Sequence, residues 1–164
     1  MARARCRCHP LNSPATKKLL RSAVALLSRR DYSRAELRAR LLRAAGAATD
    51  AAEAAAQIDQ VLDTVQAEGL LSDDRFIEGF IRTRQARFGP ARLRQELLRR
   101  GVTEEQIAAA LKLVTRDEYA TAQALWAKRF QSAPADAREW ARQARFLGAR
   151  GFSHDVIRQV LTGR

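Results

Sequence analysis

Apolar residues recur along this chain at the i, i+3, i+4 spacing of a helix face, and the sustained alternation a strand requires is absent. Phe76, Ile77, Phe80 and Ile81 make one such stripe, Leu93, Leu97 and Leu98 a second, Ile107 and Leu111 a third. Start signals bound them. Ser33-x-x-Glu36 and Thr103-x-x-Gln106 fit the capping box, in which side chains satisfy the free N–H groups of a first turn, and Asp136-x-x-Glu139 is a looser version. Gly89-Pro90 sets proline where a first helical residue tolerates its missing N–H, and Ser72 precedes Asp73-Asp74, whose charge suits the positive end of a helix. Gly46, Gly69, Gly101 and Gly151 stand where helices should stop. The pattern predicts an all-α chain of nine helices, at roughly 15–29, 33–45, 50–67, 73–87, 90–100, 103–114, 116–131, 136–149 and 153–162. They fall into three groups of three, spanning 15–68, 69–115 and 116–164, behind a basic tail, 1–14, expected to be flexible.

The groups resemble one another. Arg100-Gly101-Val102-Thr103-Glu104-Glu105-Gln106-Ile107 returns fifty residues later as Arg150-Gly151-Phe152-Ser153-His154-Asp155-Val156-Ile157, and Leu111 matches Leu161. Tyr32, Leu37, Arg38 and Leu41 have counterparts fifty-six residues on at Phe88, Leu93, Arg94 and Leu97. Self-similarity at this spacing marks an array of small supersecondary units. Such arrays present surface to a large partner more often than they enclose a small substrate.

Charge sharpens that expectation. The 164 residues hold 30 Lys and Arg against 18 Asp and Glu, a net charge of +12 and a pI near 11.2, with only four lysines. Arginine forks match phosphate and carboxylate, so nucleic acid or an acidic protein surface is the expected partner. The charge is sorted: residues 1–43 carry +10, 44–74 carry −7 and 75–100 carry +6. Arg40 and Arg43 fall on the outer side of the second helix, and Arg92 and Arg99, seven apart, on the outer side of the fifth. Arg82, Arg84, Arg87 and Arg100 extend this basic surface and complete the binding candidates. Any one of them fits a solvated face equally well; shared placement on related units favours binding. Arg38 and Arg94 lie between apolar positions, inside the expected buried arc, and each needs a carboxylate from an acidic third helix or an outward route for its stem.

Catalysis and cofactor binding find no support. There are two histidines, His9 and His154, and no phosphate-binding glycine loop or His-Glu-x-x-His stretch. Asp73-Asp74 reads as a helix start. Cys6-x-Cys8-His9 supplies three ligand types without an evident fourth, so reduced thiols and no metal site are expected. No run of eighteen apolar residues spans a membrane, and no secretion signal is evident, which makes the cytoplasm the expected compartment. Phe76, Phe80, Phe88, Trp126, Trp140 and Phe146 fall mostly on apolar faces, where core packing is their expected role.

Three ordered stretches resemble the RecX family of bacterial recombinase regulators: Arg29-Arg30-Asp31-Tyr32-Ser33-x-x-Glu36-Leu37-x-x-Arg40-Leu41, Gly69-Leu70-Leu71-Ser72-Asp73-Asp74-Arg75-Phe76, and Arg87-Phe88-Gly89-Pro90-x-Arg92-Leu93-Arg94-Gln95-Glu96-Leu97-x-x-x-Gly101. Order and spacing agree from about 18 to 113, and the last group matches more loosely through Gly151 to Leu161. The resemblance implies an elongated, curved array of three tandem three-helix repeats without catalytic residues. It also implies binding to the RecA recombinase and its single-stranded DNA filament, lodged in the filament groove. Filament growth, ATP hydrolysis, strand exchange and co-protease activity in the SOS response would all be lowered. The expected molecule is a monomer whose contact with bare DNA is weak and non-specific. The competing reading is a stand-alone helix-turn-helix nucleic-acid binder, with the helices at 73–87 and 90–100 as reader pair; that class usually needs a dimer, and no dimerisation heptads are visible.

Overall fold

The computed structural model describes residues 13–46, 51–114, 118–130 and 132–163. Among them the chain forms nine α-helices and no strand: α1 Pro14–Leu27, α2 Arg34–Ala45, α3 Ala51–Ala67, α4 Asp73–Arg84, α5 Pro90–Leu98, α6 Glu104–Val114, α7 Glu118–Arg129, α8 Ala137–Gly148 and α9 His154–Thr162. Cys6, Cys8, His9 and the rest of the first twelve residues lie outside the described part.

The caps set the ends. Ser33 Oγ accepts the Glu36 amide at 3.1 Å, and Asp136 Oδ1 the Glu139 amide at 2.7 Å. Thr103 and Gln106 form the full reciprocal box: the Thr103 amide donates to Gln106 Oε1 (3.2 Å), the Gln106 amide to Thr103 Oγ1 (3.4 Å). Among the helix ends that shift from the sequence pattern, three have a plain cause. Ser13 caps α1 and Pro14 is its first residue, so Pro14 belongs to the helix and not to the tail. α4 stops at Arg84, because a tighter turn, with the Arg87 amide on the Arg84 carbonyl, carries the chain to Gly89-Pro90. α5 stops at Leu98, and Gly101 at φ 74° turns the chain out of it.

Each helical group closes over its own apolar cluster. Leu37, Leu41, Ile58, Val61, Leu62 and Val65 are fully buried among α1–α3, with Ala23, Tyr32 and Leu71 completing the cluster. Phe76, Ile77, Phe80, Ile81, Leu93, Leu97, Val102, Ile107 and Leu111 fill the space among α4–α6. Ala122, Leu147, Phe152, Ile157, Val160 and Leu161 do so among α7–α9. Full burial of each such Leu or Ile is worth about 1.5–3 kcal/mol, which is what holds helices this short. Two expected core residues are not buried: Leu98 and Trp140 are each 40% exposed, because no neighbouring helix covers their side. In the third group Trp126 Nε1 donates to Gln143 Oε1 (2.7 Å) and Gln143 Nε2 to the Ser132 carbonyl (3.3 Å), so the buried amide is satisfied.

By contact the chain divides into two compact units, Met1–Asp73 and Asp74–Arg164. Within the first, the Arg34 amide at the start of α2 donates to Asp73 Oδ1 at 2.7 Å, so the first carboxylate of Asp73-Asp74 also anchors another helix. Within the second, the end of α8 completes the start of α5. The Gly89 amide donates to the Arg150 carbonyl (2.8 Å) and the Ala91 amide to the Gly151 carbonyl (3.2 Å). Gly151 has φ 83°, and a Cβ there would lie 2.5 Å from Arg92 Cβ; a Cβ on Gly89 would overlap the Gly151 carbonyl. Glycine is required on both sides of this contact.

Candidate functional site

The arginines of α4 and α5 were expected on open surface, and the structure divides them. Arg82, Arg87 and Arg99 are exposed, whereas Arg84, Arg92 and Arg100 are half-buried and gather on the rings of the second core. Arg84 Cζ lies 4.2 Å and Arg100 Cζ 5.1 Å from the centre of the Phe80 ring, and Arg92 Cζ 5.7 Å from that of Phe88. Arg82 and Arg84 occupy the last turn of α4, where cations suit the helix dipole. Glu96 joins two of the three: its Oε1 accepts from Arg92 Nε at 2.9 Å and its Oε2 lies 3.7 Å from Arg84 Nε. The Arg92 side chain is 41% exposed, on the outer side the seven-residue spacing predicted, but it is paired there. One turn of helix brings Glu96 beneath it, and Gly151, in the turn after α8, lies against its backbone.

Arg40 and Arg43 lie in the other unit and are exposed. Arg40 Cζ sits 6.0 Å from the Tyr32 ring centre, and Arg43 Nε donates to the Ala39 carbonyl at 3.2 Å. Arg30, not foreseen, covers the same ring at 3.8 Å and lies 3.6 Å from Glu36.

Arg38 and Arg94 each meet a carboxylate of the third helix in their group, as the sequence predicted. Arg38 Nε and Nη2 donate to the two oxygens of Asp59 at 2.6 and 3.1 Å, and Arg94 Nε donates to Glu104 Oε1 at 2.5 Å. They are not buried, however: their side chains are 39% and 53% exposed, since the stems run outward past the apolar positions. The hydrogen bonds from Arg38, with its charge, hold the Asp59 carboxyl below its ordinary range against a smaller opposing effect of burial. The same hydrogen bonds raise Arg38.

Among the described residues no three His, Cys, Asp or Glu side chains are grouped to hold a metal ion, and no helix is long and apolar enough to cross a membrane. His154 opens α9 on the surface. Glu96 and the shelf made by Phe80 and Phe88 were not singled out from sequence. The Arg92-x-x-x-Glu96 spacing signals that pair; the approach of Arg84 from another helix has no sequence signal.

Fold and surface together define an all-α protein of repeated three-helix groups with arginine exposed on its surface. Family models agree in register: the second three-helix domain of RecX matches residues 72–111 and the third matches 116–161. A regulatory protein RecX of Leptothrix cholodnii is 48% identical over 139 residues, covering 85% of this chain and 84% of that one. Another from Chromobacterium violaceum is 44% identical over 147 residues, covering 90% and 91%. The crystal structure of RecX from Lactobacillus salivarius superposes with a TM-score of 0.75 over 91% of this chain and 96% of that one, at 21% identity, which is likeness of fold. The chain belongs to the RecX family, and the role this membership supports is regulatory.

Proposed function

We propose that this protein binds RecA recombinase and its single-stranded DNA filament, and that occupancy alone lowers filament growth, ATP hydrolysis, strand exchange and SOS co-protease activity. The observation that carries this reading is the kinship with regulatory RecX proteins over most of the chain. The basic surface fits it physically. Arg40, Arg43, Arg82, Arg84, Arg87, Arg92, Arg99 and Arg100 would supply the contacts, as forks for carboxylate or phosphate. Taken as repeats 15–68, 69–115 and 116–164, the groups would touch several recombinase subunits at once, so modest individual contacts sum to strong attachment. The protein acts as a cytoplasmic monomer and performs no chemistry of its own. Blocking a filament needs only occupancy of surface the filament must keep open.

The test is single-stranded-DNA-dependent ATP hydrolysis by RecA with this protein added below stoichiometry. Hydrolysis is expected to fall; unchanged hydrolysis contradicts the reading. Tight binding to one duplex sequence without recombinase would favour a stand-alone helix-turn-helix binder instead.

A further inference from the structure

We infer that Glu96 is a selectivity residue: it lies against the Arg84 and Arg92 forks, which can take the phosphodiesters of a single-stranded nucleic acid, and restrains their attachment to bare strands. This rests on the proposed assignment of Arg84 and Arg92 to the partner-facing surface. Both arginines turn their Nε edge to the same carboxylate, at 2.9 Å for Arg92 and 3.7 Å for Arg84. Arg84 Nη1 donates to its neighbour Thr83 Oγ1 at 3.3 Å. No carboxylate other than Glu96 pairs with either guanidinium group among the described residues. The rings of Phe80 and Phe88 back the two guanidinium groups. The forks are thus positioned from one side and open on the other, at side-chain exposures of 37% and 41%.

A repeating phosphodiester is the ligand this arrangement favours over a protein carboxylate. Two adjacent forks can each take a phosphate, and exposed Arg87 and Arg99, which enter no ion pair among the described residues, extend the positive field along the strand. Glu96 halves the local charge of the pair and opposes an approaching polyanion. The device belongs to the second group. At the positions equivalent to Arg92 and Glu96, the first group has Glu36 and Arg40, and the third has Arg142 and Phe146.

The experiment measures binding of the full chain to bare single-stranded oligonucleotide across a salt series, without recombinase, so it stands apart from the ATPase result. Glu96→Gln keeps shape and helix propensity and should bind tighter, with a steeper dependence of log affinity on log salt. One more effective phosphate contact adds about 0.7 to the slope, or about eightfold in affinity at about 50 mM salt. Glu96→Ala should shift the same way, which guards against a fault peculiar to one replacement. The combination Arg84→Gln, Arg92→Gln and Glu96→Gln should lose the gain. Equal or weaker binding by both Glu96 variants overturns the inference, and so does a gain that survives in the triple variant, since the two forks would then not carry it.

Discussion

α2 and α5 hold the same place in their groups, yet their first turns are completed by different means. α2 is capped by its own Ser33, with Asp73 taking the Arg34 amide. α5 has only Gly89 at its cap and no side-chain bond there, so carbonyls at the end of α8 take over. The charges on the two helices are also reversed. Glu36 precedes Arg40, the order that agrees with the helix dipole, whereas Arg92 precedes Glu96, the order that opposes it. α2 is thus arranged for local stability. α5 gives up a little of that stability, and its arginines stand on aromatic rings beside exposed Arg87 and Arg99. Departures from local optimality of this kind concentrate where a protein meets its partner.

The contrast can be broken at the tertiary cap first. Gly151→Ala combines a positive φ with a Cβ pressed on Arg92, and should lower stability of the Asp74–Arg164 unit by at least about 2 kcal/mol in urea unfolding. If α5 relied on a side-chain cap of its own, as α2 does on Ser33, the loss would stay within the few tenths typical of a surface change. Ser33→Ala should cost about 1 kcal/mol, confined to the first unit, because it removes the cap bond to the Glu36 amide. Amide exchange resolved by segment separates the two: protection should fall in α2 alone for Ser33→Ala, and in α5 and α8 together for Gly151→Ala.

The smallest expected effect concerns Asp59. Its carboxyl is held below the ordinary value, so its contribution is present above about pH 3.9, the usual range for an unfolded Asp, and is lost as pH falls through the lowered folded value. Asp59→Asn should flatten that stretch of the acid-unfolding curve and change little at neutral pH, since the pair is solvent-exposed. A flat acid limb in the unmodified protein would deny the pair any role.

Much of this was legible in the residues, for identifiable reasons. Capping boxes and stop glycines are local, so the helix starts at Ser33, Thr103, Asp136 and Gly89-Pro90 could be read directly. The pairing of Arg38 and Arg94 with third helices followed from the need to satisfy a cation beside apolar positions. The close approach of Gly151 to the Arg92 backbone was not legible, because it depends on a turn about sixty residues away. Leu98 and Trp140 were misjudged for the converse reason: periodicity shows which face is apolar, not how far the neighbouring helices extend over it. The Glu96 bridge needs two helices at once, and no spacing within one stretch records it.

Charge reversal of the exposed arginines around α5 probes their proposed part in the partner contact. Arg87→Glu with Arg99→Glu leaves every ion pair and core residue of the second group in place. Helix content should be unchanged, while inhibition of RecA ATP hydrolysis should fall at least tenfold in potency, about 1.4 kcal/mol. Full inhibition by a folded double variant would remove these two arginines from the partner contact.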